Sequence, residues 1–210
     1  MTWLLLLLLL EIALLVIADR NHICWLHGLS ILNMLLITMF SARLIQVGPL
    51  ISNLGCLWYA TVFAVQLIVF RRGGYEASRE LVGVLYFTLI GFLLIVQVAP
   101  LVTPYGPTGG MLEIMATRSL RVTAASLLAF GCGQGVLVEI WRHTKINSFA
   151  TRYLLAVVAG QAVDSLIFFW VAFGLAGARW RIGVDGFLLK LIFGLCFAPL
   201  VWWLTKNRNE

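Results

Sequence analysis

Apolar runs long enough to cross a lipid bilayer follow one another from Thr2 to Thr205, with only short polar breaks between them. A helix needs about 20 residues to cross the hydrocarbon core. Inside that core each backbone N–H and C=O must find its partner within its own segment. The pattern therefore predicts an all-α, polytopic membrane helix bundle. Seven spans are predicted: Thr2–Ala18, His22–Gln46, Pro49–Phe70, Glu80–Leu101, Thr117–Trp141, Phe149–Ala176 and Val184–Thr205. Composition agrees. The chain is 61% hydrophobic and 11% charged, against about half and about a quarter in soluble domains. A soluble fold of 210 residues could not bury that much apolar surface. No polar linker divides the runs, so residues 1–210 are read as a single transmembrane domain, with an extra N-terminal helix over 2–18.

The first span resembles a secretory signal in its leucine run. No basic residue precedes it, however, and no good small-x-small cleavage site follows, so a retained helix is expected. The formal net charge of +6 could suggest a nucleic-acid partner. The basic residues form short clusters between apolar runs rather than a stripe with interleaved aromatics, so none is expected; the partner is the lipid bilayer. With the N-terminus outside, inner segments carry nine basic residues (Arg20, Arg71, Arg72, Arg79, Arg142, Lys145, Arg152, Lys206, Arg208). Outer segments carry five (Arg43, Arg118, Arg121, Arg179, Arg181). The excess of positive charge on the inside predicts N-out, C-in. The stretch Ala99–Gly110 is rich in proline and glycine and free of basic residues. It reads as an outer loop, either a lid or a connector.

Catalytic signatures are missing. There is no HExxH, GxSxG or Walker loop, and Cys24, Cys56, Cys132 and Cys196 form no CxxC pair. The cysteines read as small packing residues, and no enzyme activity, metal or cofactor is expected. The informative residues are the polar ones inside the spans, because a charge at mid-bilayer costs roughly 2.5–3.5 kcal/mol on insertion scales. Asp164 and Lys190 are the clearest. Gln161, Asp164, Ser165 and Phe168 share one helix face. Two roles stay open for Asp164 and Lys190: an ion pair that only joins helices, or part of a substrate pocket. Gln134 places an amide deep in the fifth span, among small residues that let helices approach closely. Arg121 stands at the outer end of that span. Trp58 and Tyr59 read as an interfacial aromatic pair, Gln66 lies toward the inner end of the third span, and Glu11 sits in the first with no evident partner.

Four blocks resemble the queuosine-precursor transporter family, also described as vitamin-uptake-transporter-like. They are YATVFAVQLIVFRRGGYEASREL (Tyr59–Leu81), the Arg121–Ser126–Gln134 pattern, AGQAVDSLIFFWVAFG (Ala159–Gly174) and LLKLIFGLCFAPL (Leu188–Leu200). The resemblance covers a core of roughly 22–205. It implies a bacterial inner-membrane importer of 7-deazaguanine precursors of queuosine. The implied fold has six shared helices and resembles the substrate-binding components of energy-coupling-factor vitamin transporters. Thr38, Gln66, Phe70 and Leu137 depart from the family pattern, whereas Gln161, Asp164 and Lys190 keep it. A 7-deazapurine, or a similar polar heterocycle, would offer its guanine-like edge to Asp164, Gln161 and Gln134. Phe130 and Phe168 would stack on its face, and Lys190 would orient Asp164 or meet a carbonyl or nitrile. Other readings are a binding component for another vitamin or nucleobase with a separate energising partner, and a non-transporting scaffold subunit. A homo-oligomer is also open.

Overall fold

The computed structural model describes residues 2–40, 44–98, 120–146, 148–173 and 179–206. Among these residues the order is α1 (Thr2–Arg20), α2 (Ile23–Phe40), β1 (Leu44–Val47), β2 (Leu50–Asn53), α3 (Cys56–Val98), α4 (Leu120–His143), α5 (Phe149–Phe173) and α6 (Arg179–Lys206). Five of the helices, α2 to α6, are long and apolar enough to cross a membrane. The chain is an all-α polytopic bundle with one small hairpin. The segment Ala99–Gly110, which carries the lid-or-connector reading, lies outside the described residues, as do Arg43 and Arg118.

The helix α3 is two spans in one. Gly74 interrupts it with φ 74° and ψ −165°, a conformation that side-chain-bearing residues rarely adopt. Gln66 Nε2 donates to both the carbonyl and the hydroxyl of Ser78 at 2.7 Å. Twelve residues of straight helix would hold those groups about 18 Å apart, so the chain folds back at Gly74. The expected third and fourth spans are therefore joined by a tight turn, and no loop separates Phe70 from Glu80. The Arg72 guanidinium pairs with Asp19 at 2.7 Å, which places the end of α1 beside this turn.

A second correction concerns the opposite end of the bundle. The second span was expected to reach Gln46 and the third to begin at Pro49. Instead α2 stops at Phe40, and Leu44–Val47 pairs antiparallel with Leu50–Asn53. Gly48 and Pro49 form the two-residue turn, with Gly48 at φ 60°, as the primed hairpin turns require. The hairpin is fastened to α6: the Ile51 amide donates to Asp185 Oδ2 at 3.1 Å.

Close packing sets the rest of the frame. Gly133 on α4 faces Gly160 on α5. A Cβ on Gly133 would sit 2.9 Å from the Gly160 carbonyl and 2.8 Å from the Asp164 Cβ. Only a missing side chain allows that approach, as small residues do between membrane helices. Trp141, Tyr153, Phe63, Phe130 and Phe197 fill the interior. Trp3, Phe87, Leu94 and Ile95 point outward, a distribution suited to lipid rather than water. The cysteines divide in the same way: Cys56 is buried, while Cys24, Cys132 and Cys196 face outward and take no part in core packing.

Candidate functional site

Three helices bring one polar cluster together below the hairpin. The Asp164 carboxylate on α5 is 3% exposed, and both of its oxygens are engaged. Oδ2 accepts from the Lys190 ammonium on α6 at 2.6 Å. Oδ1 accepts from the Tyr59 hydroxyl on α3. Lys190 Nζ also lies 4.2 Å from the centre of the Tyr59 ring, a cation–π contact that a desolvated setting strengthens. The three groups thus hold one another in a closed triangle. Two charges in so dry a place persist only because hydrogen bonds take up what the ion pair leaves over.

Amides surround this triangle. Gln161, one turn before Asp164, donates to the Lys190 carbonyl at 3.2 Å, and its own Oε1 has no partner. Gln134 is fully buried, and neither its Oε1 nor its Nε2 is hydrogen-bonded. It follows Gly133, whose backbone lies against Asp164, and stands one turn from Phe130 on the same face of α4. Phe130 packs against Tyr59 with ring centres 6.4 Å apart and against Tyr86 at 5.6 Å. Ser165 Oγ is buried and unpartnered as well. Buried polar atoms normally find a partner. Here the orphaned amide and hydroxyl groups gather beside one saturated carboxylate.

The sequence-predicted residues divide accordingly. Asp164, Lys190 and Gln161 are in direct contact, with Gln134 and Phe130 close by. Phe168 is half-buried on the same face of α5 and packs edge-on against Phe169 at 5.3 Å. Gln66 is buried but bonded to Ser78 across the Gly74 turn, about 10 Å along the helix from Tyr59; the structure does not bring it to Asp164. Arg121 lies in the first turn of α4, and its side chain is outside the described residues. Among the departing positions, Leu137 is buried next to Gly160, and Thr38 donates back to the Met34 carbonyl at 2.8 Å.

Tyr59 is the residue that sequence reasoning missed. It was read with Trp58 as an interfacial aromatic, yet Tyr59 is 8% and Trp58 5% exposed. A signal was present, since Tyr59, Phe63 and Gln66 share a helix face at i, i+4 and i+7. Glu11 also has company. Its carboxyl faces Asn33, Trp58 and Thr61.

Comparison with known proteins gives one match. Residues 53–204 fit the family described as "Putative vitamin uptake transporter". No curated protein and no solved structure matches the chain. The matched segment contains every member of the Tyr59–Asp164–Lys190 triangle.

Proposed function

Because the chain belongs to the vitamin uptake transporter family, we propose that it imports a planar polar heterocycle, specifically a 7-deazaguanine precursor of queuosine, across a bacterial inner membrane. The nine-to-five distribution of basic residues supports an N-terminus outside and a C-terminus inside. In that orientation the hairpin and the triangle lie toward the outer face, where an imported molecule arrives.

The observation that carries this reading is the saturated Asp164 carboxylate, with Gln161 one turn away keeping a free amide oxygen and the buried Gln134 amide wholly unpartnered. A guanine-like edge presents a ring N–H and an exocyclic amine side by side, and a carboxylate accepts both. An incoming heterocycle exchanges places with the Tyr59 hydroxyl and the Lys190 ammonium on Asp164. It then offers its carbonyl to the freed donors or to an amide of Gln134. Binding therefore trades one set of charge-assisted bonds for another. Phe130 supplies an aromatic wall behind Tyr59. A vitamin with a similar donor edge would use the same residues.

The test is complementation. A bacterium unable to make or import the precursor expresses the chain, receives 7-cyano-7-deazaguanine at low concentration, and is assayed for queuosine in transfer RNA. Modification is expected to return with the wild-type chain. With Asp164→Asn it is expected to fall by at least about tenfold, the loss of one hydrogen bond to a charged group. Unrestored modification, with the protein present in the membrane, would overturn the queuosine assignment and direct the search to other heterocyclic vitamins.

A further inference from the structure

A second polar cluster lies on the other side of α3, and transport by the Asp164 site does not use it. Glu11 of α1 is 2% exposed, Asn33 of α2 is fully buried, and so is Thr61 of α3. The Glu11 carboxyl faces the Thr61 hydroxyl, the Asn33 amide and the Trp58 indole. Yet Glu11 Oε2, Asn33 Oδ1 and Nδ2, and Thr61 Oγ1 all lack a hydrogen-bond partner. Ser30, one turn before Asn33 on α2, is fully buried with its hydroxyl equally orphaned. Three helices thus bring a carboxylate, an amide and a hydroxyl into one place.

The charge of this cluster is as telling as its geometry. No cation pairs with Glu11 among the described residues. The buried cations of the neighbouring helices are committed elsewhere, Arg72 to Asp19 and Lys190 to Asp164. One uncompensated negative charge in a bilayer calls for one positive charge. A divalent ion would leave a surplus. A proton would answer the charge, but it bridges only two oxygens and leaves the others as they are. A monovalent metal ion gathers several hard oxygens at once, in the way transporters hold their coupling ions.

We propose that Glu11, Asn33 and Thr61, with Ser30 beside them, bind one sodium ion. Glu11 supplies the charge, and the amide and hydroxyl oxygens complete the shell. The Trp58 indole N–H holds the carboxylate from the side. Tyr59 and Thr61, two residues apart, lie on nearly opposite sides of α3, so the ion and the Asp164 triangle grip the same helical turn. Glu11, Ser30 and Asn33 precede the family-matched residues 53–204, whereas Trp58 and Thr61 lie within them.

The test needs no transported substrate. The full-length chain, purified in detergent, is assayed for binding of radioactive sodium and for thermal unfolding in sodium against potassium or choline chloride at equal ionic strength. The wild type is expected to bind about one ion and to unfold a few degrees higher in sodium. Glu11→Gln is expected to abolish both effects, while Asp164→Asn keeps them. Thr61→Val, the milder change, is expected to weaken sodium binding about tenfold, the loss of one contact to a charge, and it stands in should Glu11→Gln fail to fold. Absence of sodium binding in the wild type, or binding unchanged in these variants, would overturn the site. So would a response to pH alone that Glu11→Gln removes, because that is the signature of a proton carrier. A chain that binds sodium but imports no heterocycle would refute the transport reading and leave this one intact.

Discussion

The two faces of α3 treat a buried carboxylate in opposite ways. Toward α5 and α6, Asp164 has an ammonium on one oxygen and a hydroxyl on the other. Toward α1 and α2, Glu11 has no ion partner among the described residues and lies among orphaned polar atoms. The same helix, at the same depth, closes one site and leaves the other open. A saturated site must break bonds before it binds anything, so its specificity rests on an exchange of partners. An unsaturated site gains from any ligand of the right charge, so its occupancy follows concentration. On the two proposals above, the faces suit different cargo, a scarce shaped molecule on one side and an abundant ion on the other.

That contrast can be broken by substitution. The largest effect is expected at Lys190. Lys190→Ala strands the Asp164 charge and should lower stability by about 3–5 kcal/mol, seen as a lower unfolding midpoint in detergent. The double change Asp164→Asn with Lys190→Met should recover most of that loss, and failure to recover would mean that Asp164 is not governed by its ion pair. Next comes Tyr59→Phe, which removes one hydrogen bond to a charged group and should cost about 1.5–3 kcal/mol. Uptake should change with it, because the same hydroxyl is released to the ligand. Smallest is Glu11→Gln in sodium-free buffer. It keeps the shape and removes an uncompensated buried charge, so stability should not fall and is expected to rise by about 1 kcal/mol. A loss as large as that of Lys190→Ala would show that Glu11 is held by bonds as Asp164 is, and the contrast would collapse.

How much of this was readable beforehand follows from where each constraint resides. The all-α bundle was legible because lipid imposes length and apolarity on each span separately. Asp164, Gln161 and Lys190 were legible for a related reason, since a charge in an apolar run stands out whatever surrounds it. Tyr59 was not, because an aromatic near a helix end suits either the interface or the interior, and only the packing of α3 against α5 decides. The Leu44–Asn53 hairpin was hidden inside a run whose hydrophobicity satisfied the span criterion, although Gly48-Pro49 marked its turn. The Gly73–Gly74 pair was read as a loop, while the helix resumes at once because Gln66 and Ser78 lock the two arms. The surroundings of Glu11 were invisible, being assembled from three helices whose contacts no local pattern encodes.

The closed triangle also has a history written in the order of the chain. Its members leave the ribosome as Tyr59, then Asp164, then Lys190. When α5 enters the membrane, the Tyr59 hydroxyl is already there to meet the carboxylate, and the ammonium is still to be made. Only α6 brings the countercharge, 26 residues after Asp164. A nascent chain that stops short of α6 therefore carries an uncompensated acid inside α5, and the insertion of α6 is the step that neutralises it.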